Sequence, residues 1–174
     1  MATQVVGANN AVFVAHSGAG LLLPRIVKQA NVIDPMLVFV DAGFPFLDRD
    51  TPVLPTELLT EIAVLAQQGI LPPWSEWFGS ATMSILIPDR ERRAAVVSDI
   101  PKLPLQYFSE SIPPTATWPA ARNRFLLLSE AYREEATEAR RRGWPVLEVL
   151  GQHLDMVSNP HAIVEAINWC RAVA

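Results

Sequence analysis

Apolar positions in this chain follow two spacings. Four short unbroken runs, at residues 11–15, 36–40, 124–128 and 145–150, are rich in Val, Leu and Phe and show no clear alternation with polar residues. Runs of this kind predict strands covered on both faces, which is the situation of a parallel sheet between helices. Helical signals follow them. The first run leads into a predicted helix over 18–30, with Pro24 as a kink or early distortion because its nitrogen cannot donate a hydrogen bond. The third leads into EAYREEATEARRR, where Glu138 and Arg142 stand four apart and Gly143 supplies a left-handed stop. The last helix opens on Asn159 as cap and Pro160 in its first turn. This alternation predicts the α/β class, a parallel sheet with helices on both faces.

Residues 44–119 break the rhythm. They hold most of the prolines and carry helical patterns interrupted by proline pairs, so they predict a helical cap inserted between two strands. Within it, Thr56 is expected to cap a helix running to Gln68 and closed by Gly69, and DRERRAAVVSDI from Asp89 gives another. No repeat or low-complexity segment interrupts the chain, whose 174 residues suit a single domain.

Composition narrows the function classes. Half of the residues are apolar and 18% are charged, which excludes a disordered or fibrous chain. A net charge of -4 offers no basic field for a phosphate backbone, so nucleic acid is not an expected partner. The dense basic run Arg140-Arg141-Arg142 ends a charged helix, where it suits the dipole and the carboxylates one turn upstream. Cys170 is the only cysteine, which excludes an intrachain disulfide and a multi-cysteine metal site. Its helical spacing with Ile163, Ala166 and Ile167 makes it a core filler. The start MATQVVGANN lacks the features of a signal peptide and no segment approaches a bilayer span, so a cytoplasmic location is expected.

Candidate chemistry gathers where the strands end. VFVAHSGAGLLL places Ser17 between the first strand and its helix, with small residues Ala15, Gly18, Ala19 and Gly20 around it. A nucleophilic serine on a strained strand-to-helix turn needs such neighbours; here alanines replace the outer glycines of G-x-S-x-G, and Gly20 stands one place late. The Gly18 N–H at the helix start would face a developing oxyanion. A serine needs a base, and His153 lies directly after the fourth strand in GQHLDMVSNP, on the sheet edge where open α/β folds bind ligands. His16 either points away from Ser17 or packs beside it, and His161 lies inside the last helix. The acid is Asp41, which ends the second strand, or Glu130, which ends the third. Asp41 is preferred because a carboxylate directly after five apolar residues requires a partner.

In this order of serine, acid and histidine, the chain resembles the C-terminal part of the α/β-hydrolase fold and its small esterase-like members. AHSGAG, VFVDAGFP and GWPVLEVLGQHLDMVSNPHAIVEAI carry the resemblance. It implies a truncated α/β-hydrolase-like sheet with a helical cap, and a serine esterase acting on a small hydrophobic ester or acyl substrate. Ser17 would attack, His153 would carry the proton, Asp41 or Glu130 would hold the imidazolium, and no metal or organic cofactor is implied. Trp74, Trp77, Phe78 and Phe44 would supply apolar surface for the substrate, with His16 beside the nucleophile. The early strands and the loop giving a second oxyanion donor have no counterpart here. That leaves the strand at 11–15 as an exposed edge, and a homodimer covering it is expected. Two other readings fit the same scaffold: a weakly active truncated member serving as a binding or assembly subunit, and non-hydrolytic lyase or cyclase chemistry.

Overall fold

The computed structural model describes residues 7–114, 118 and 121–172. The targeting reading of the first six residues and the expected end of the insertion at 119 lie outside these. The described chain divides into two compact units. A sheet unit comprises the chain through Thr51, Ile112–His153 and the residues from His161 onward; an inserted unit comprises Pro52–Ser111 and Leu154–Pro160. The insertion is narrower than 44–119 because Phe44 and Trp118 pack into the core of the sheet unit.

The sheet unit is built on four parallel strands, β1 (Val12–Ser17), β2 (Met36–Ala42), β3 (Arg122–Leu127) and β4 (Val146–Glu148), side by side in that order. Each coincides with one of the four apolar runs. β2 is buried along its whole length, as its unbroken MLVFVDA predicts for a central strand. The fourth run shortens to three paired residues, and Leu150 beyond it is 98% exposed.

Side chains alternate across the sheet, and helices cover both faces. On one face Ala15, Leu37, Phe39, Phe125 and Leu127 pack with Leu23 and Val27 of the helix Leu23–Ala30 and with Ala136 and Ala139 of the helix Arg133–Arg141. Met36, Val38, Val40 and Leu126 are buried toward the other face. There Arg124 acts electrostatically on Cys170 of the helix Pro160–Ala172, which also buries Ile163 and Ala166. Burial pushes the Cys170 thiol up to about 11, so it is an inert core residue.

Local chemistry departs from expectation at two helix starts. Residues 18–30 form a 3-10 turn over Gly18–Leu22 and then the α-helix Leu23–Ala30. Pro24 lies in the first turn of that α-helix, where a missing N–H is harmless, and so it starts the helix rather than kinking it. In the inserted unit Thr56 opens the helix Thr56–Ala63 from within, with Pro55 preceding it and no side-chain cap. That helix also ends at Ala63, short of the expected Gln68, so Gly69 does not close it and instead precedes the short strand Ile70–Leu71. The signals around Asp89 and Gly143 hold as read. Asp89 caps the helix Arg90–Asp99 by accepting from the Arg92 N–H at 2.9 Å. Gly143 takes φ 75° after the helix Arg133–Arg141, and Arg142 bonds Glu138 at 2.7 Å.

The basic run is spent on ion pairs, Arg140 with Glu148 and both Arg141 and Arg142 with Glu138. The inserted unit has its own small core of Met83, Ile87 and Leu154, against which Trp74, Leu86 and Val157 pack. Among the described residues, no helix is long and apolar enough to cross a membrane.

Candidate active site

Ser17 has φ 56° and ψ -136°, backbone that L-residues seldom adopt and that stores about 1–3 kcal/mol of strain. Gly20 makes this turn feasible. A Cβ there would lie 2.1 Å from the Gly43 carbonyl oxygen and 3.0 Å from Ala42 Cβ, so the turn after Ser17 passes against the end of β2 only because residue 20 is glycine. Gly18, by contrast, has open space where a Cβ would go. The glycine that looks one place late in the sequence is therefore the one the packing requires. Gly18 is exposed and opens the 3-10 turn, which leaves its N–H at the free start of that turn.

The pairing of β1 with β2 slips at the same level: His16 pairs with Val40 and Ser17 with Ala42. Asp41 is the extra residue, held at φ 39°. A bulge of this kind re-aims the side chain it carries. The Asp41 carboxylate is completely buried and fully engaged. Its Oδ1 accepts from the N–H groups of Leu128 at 2.6 Å and Ser129 at 3.1 Å, and its Oδ2 accepts from Ser129 Oγ at 2.5 Å and from His153 Nδ1 at 3.1 Å. Burial works to raise its pKa, but the hydrogen bonds from His153, from the Ser129 hydroxyl and from the two backbone amides together hold it below the usual carboxylate range. It is therefore an anion at neutral pH, with one oxygen committed to the imidazole.

His153 keeps 20% of its side chain exposed and is gripped from three sides. Asp41 holds Nδ1–H, the Tyr132 ring lies parallel to the imidazole at 5.1 Å between centroids and 9° between planes, and the His16 ring stands 4.3 Å away. His16 Nε2–H donates to the His153 carbonyl at 2.9 Å, which ties the histidine loop to the end of β1. Burial first, and the neighbouring His153 second, lower the His16 pKa to about 4, so His16 is a neutral structural clamp. That gives it a role other than the substrate contact expected from its place beside Ser17.

Ser17 Oγ lies 3.0 Å from the Tyr132 hydroxyl. The direct Ser17–His153 hydrogen bond expected from the sequence is not made among the described residues; the residue reaching the serine is Tyr132, which closes the 3-10 turn Glu130–Tyr132 after β3 and touches both groups. The structure thus gathers Ser17, His153, Asp41 and Tyr132 in the sheet unit. Glu130 stands apart: it is 78% exposed and paired with Arg133, so the acid beside the histidine is Asp41.

The expected aromatic contacts divide. Phe44 is 7% exposed and packs against Phe39, Phe125 and Trp144, with the Arg142 guanidinium 4.7 Å above its ring, so its surface is used by the core and not by a substrate. In the inserted unit Trp74 packs on that unit's core, and Trp77 donates Nε1–H to the Pro72 carbonyl at 2.9 Å and meets Phe108 edge-on. Phe78 is 49% exposed. Sequence reasoning missed Tyr132 and Ser129, although both stand in FLLLSEAY at the end of the third apolar run, one as a hydroxyl directly after the run and one as an aromatic three places on. Among the described residues, no group of three or more His, Cys, Asp or Glu is arranged to hold a metal ion.

No family model and no curated protein matches the sequence. Solved structures do. Polyneuridine aldehyde esterase superposes with a TM-score of 0.69 at 13% identity, over 98% of this chain and 75% of its own. A variant of tomato methylketone synthase I complexed with β-ketoheptanoate gives 0.68 at 15% identity, over 98% and 74%. An extracellular α/β-hydrolase from a Paenibacillus species, described as sharing homology with tobacco salicylic acid binding protein 2, gives 0.67 at 15% identity, over 94% and 72%. The chain therefore has the α/β-hydrolase fold and spans about three quarters of the length of these neighbours.

Proposed function

We propose that this protein is a serine hydrolase of the carboxylesterase kind, acting on a small hydrophobic ester. The observation that carries the reading is the hydrogen bond from His153 to the buried Asp41 carboxylate, next to a serine held in elbow geometry. An imidazole whose Nδ1–H is fixed on a carboxylate has its Nε2 lone pair available as a base, and its protonated form is stabilised by the same anion. Ser17 Oγ attacks the ester carbonyl and its proton passes to His153, which returns it to the leaving alcohol; the Gly18 N–H donates to the oxyanion. Water then releases the acid by the same steps. The esterase named among the structural neighbours agrees with an ester substrate.

The test is hydrolysis of a short-chain p-nitrophenyl ester by the wild type, Ser17→Ala and His153→Ala. Activity abolished in both variants is the expected result, and equal traces in all three would overturn it. One observation favours a second reading, that of a binding or assembly subunit or of non-hydrolytic chemistry: the Ser17 hydroxyl is engaged by Tyr132 instead of by His153. Equal traces would select that reading.

A homodimer is part of the proposal. Among the described residues β1 is the outer strand of the sheet, and Val12 and Val14 on it are 38% and 47% exposed. An apolar outer strand with unpaired backbone groups is a template for a second copy.

A further inference from the structure

Tyr132 takes no part in the Ser17–His153–Asp41 chemistry, although it is in contact with the nucleophile. Its hydroxyl stands 3.0 Å from Ser17 Oγ, and its ring lies flat against His153. β3 and β4, which lead into Tyr132 and His153, lie on the same side of β1, and Tyr132 stands in contact with both Ser17 and His153. We propose that Tyr132 is a further catalytic residue, whose phenol donates a hydrogen bond to Ser17 Oγ and stabilises the charge that oxygen carries as its proton leaves and as the acyl group departs. This rests on the serine-hydrolase reading above.

The direction of the hydrogen bond decides what Tyr132 does to the nucleophile. A hydroxyl has one proton and two lone pairs. A phenol is a much stronger acid than an alkyl hydroxyl, so the favoured arrangement has Tyr132 donating and Ser17 accepting. Ser17 then keeps its own proton for His153 Nε2, whereas the reverse arrangement would hold that proton away from the base. During attack the Ser17 proton moves to Nε2, the Oγ–carbon bond forms, and the carbonyl electron pair moves onto its oxygen. On collapse the bond from carbon to the leaving oxygen breaks, and that oxygen takes the proton from His153. In the second half water loses its proton to His153 as it attacks, the Oγ–carbon bond breaks, and Oγ regains a proton from His153. Tyr132 keeps its proton throughout, and its hydrogen bond tightens each time Oγ bears charge. Burial raises its pKa against the lowering effect of the Ser17 contact, so the phenol is protonated at neutral pH.

Tyr132→Phe keeps the ring against His153 and removes only the oxygen. The readouts are the rate of covalent labelling of Ser17 by a fluorophosphonate and the kcat and KM for p-nitrophenyl acetate. Labelling and kcat are expected to fall about ten- to a hundredfold, the range for a hydrogen bond to a charged group, with KM little changed. Labelling at the wild-type rate or faster would overturn the role of Tyr132 while leaving the serine hydrolase intact. A wild type that labels no better than Ser17→Ala would remove the hydrolase reading, and this inference with it.

A second measurement leaves the fold untouched. The chain has two tyrosines, Tyr107 and Tyr132. In a Tyr107→Phe background, replacing tyrosine by the more acidic 3-fluorotyrosine should move the alkaline limb of the labelling rate to lower pH, because an ionised phenol cannot donate. The ionisable groups facing Tyr132, namely Asp41, Glu135 and His153, are the same in both proteins. An alkaline limb that stays in place would overturn the proposal.

Discussion

Asp41 Oδ2 and His153 Nδ1 meet at 3.1 Å although 112 positions separate them along the chain. The contact depends on the bulge that leaves Asp41 unpaired between Val40 and Ala42, and on the amides of Leu128 and Ser129 that hold the other carboxylate oxygen. The acid is thus oriented by β2 and by the end of β3, and it orients the histidine in turn.

Asp41→Asn is therefore expected to keep the shape of the site and lose the anion. Amide substitution of the orienting acid in a serine triad reduces kcat on the order of 10⁴-fold, and a loss of at least about 10³-fold is expected here. Glu130→Gln removes only an exposed pair with Arg133 and should leave kcat within about twofold. Steady-state kinetics on one ester with both variants decides between the two carboxylates. A large loss in Glu130→Gln, with none in Asp41→Asn, would reverse the assignment.

Gly20 and Gly18 lie two residues apart and should respond oppositely to alanine. At position 20 the new Cβ would press on the Gly43 backbone, which cannot rotate away, so Gly20→Ala should destabilise the protein by about 3 kcal/mol or more and disturb the Ser17 turn. At position 18 the Cβ meets nothing within 4 Å, and stability should change by less than about 1 kcal/mol. Urea denaturation midpoints check both. Equal responses would show that the close approach of the turn to β2 is not what makes Ser17 adopt φ 56°.

The outer strand makes a prediction about mass. Light scattering should give twice the chain mass for the wild type. Val14→Lys, a charge at the centre of β1 on a side chain already 47% exposed, should shift the protein to monomer with little change in fold. A wild type that is monomeric at every concentration tested would remove the homodimer.

What the sequence made legible follows from the range of the forces involved. The four strands and their parallel arrangement were readable because burial on both faces leaves an unbroken apolar run, and MLVFVDA is buried at every position. The buried acid was readable for the same reason, since a carboxylate closing such a run needs partners. Pro24 was misread because a proline marks either a helix start or a kink, and the 3-10 turn over Gly18–Leu22 moves the helix start to Leu23. Phe44 was misread as substrate-facing because an aromatic after a strand end serves equally well in a core, and its partner Trp144 lies a hundred residues away. Tyr132 left no local trace. Its importance lies in a contact with Ser17 across 115 positions, and no periodicity reports a single long-range pair.

His16 should make stability fall with acidity before Asp41 titrates. Its pKa is about 4 in the fold and about 6.5 in the unfolded chain, so above pH 6.5 both states are neutral and its contribution to stability is complete. As pH drops below 6.5 the unfolded chain binds a proton that the folded protein refuses, and stability declines until the folded pKa is reached. The total is on the order of 3 kcal/mol. Asp41 has the same sign in a lower window: its folded pKa is depressed, so its contribution holds above the unfolded value of about 3.9 and is lost as pH falls further. Burial raises the Glu135 pKa above the usual carboxylate range, and that group titrates alike in wild type and variant, so the difference between the two proteins from pH 6.5 to 4.5 isolates the imidazole. His16→Gln retains a side-chain N–H donor for the His153 carbonyl but has no charge to bury, so its unfolding midpoint should fall clearly less over that interval than that of the wild type. Parallel declines in the two proteins, followed by thermal unfolding at several pH values, would show that His16 is protonated in the fold.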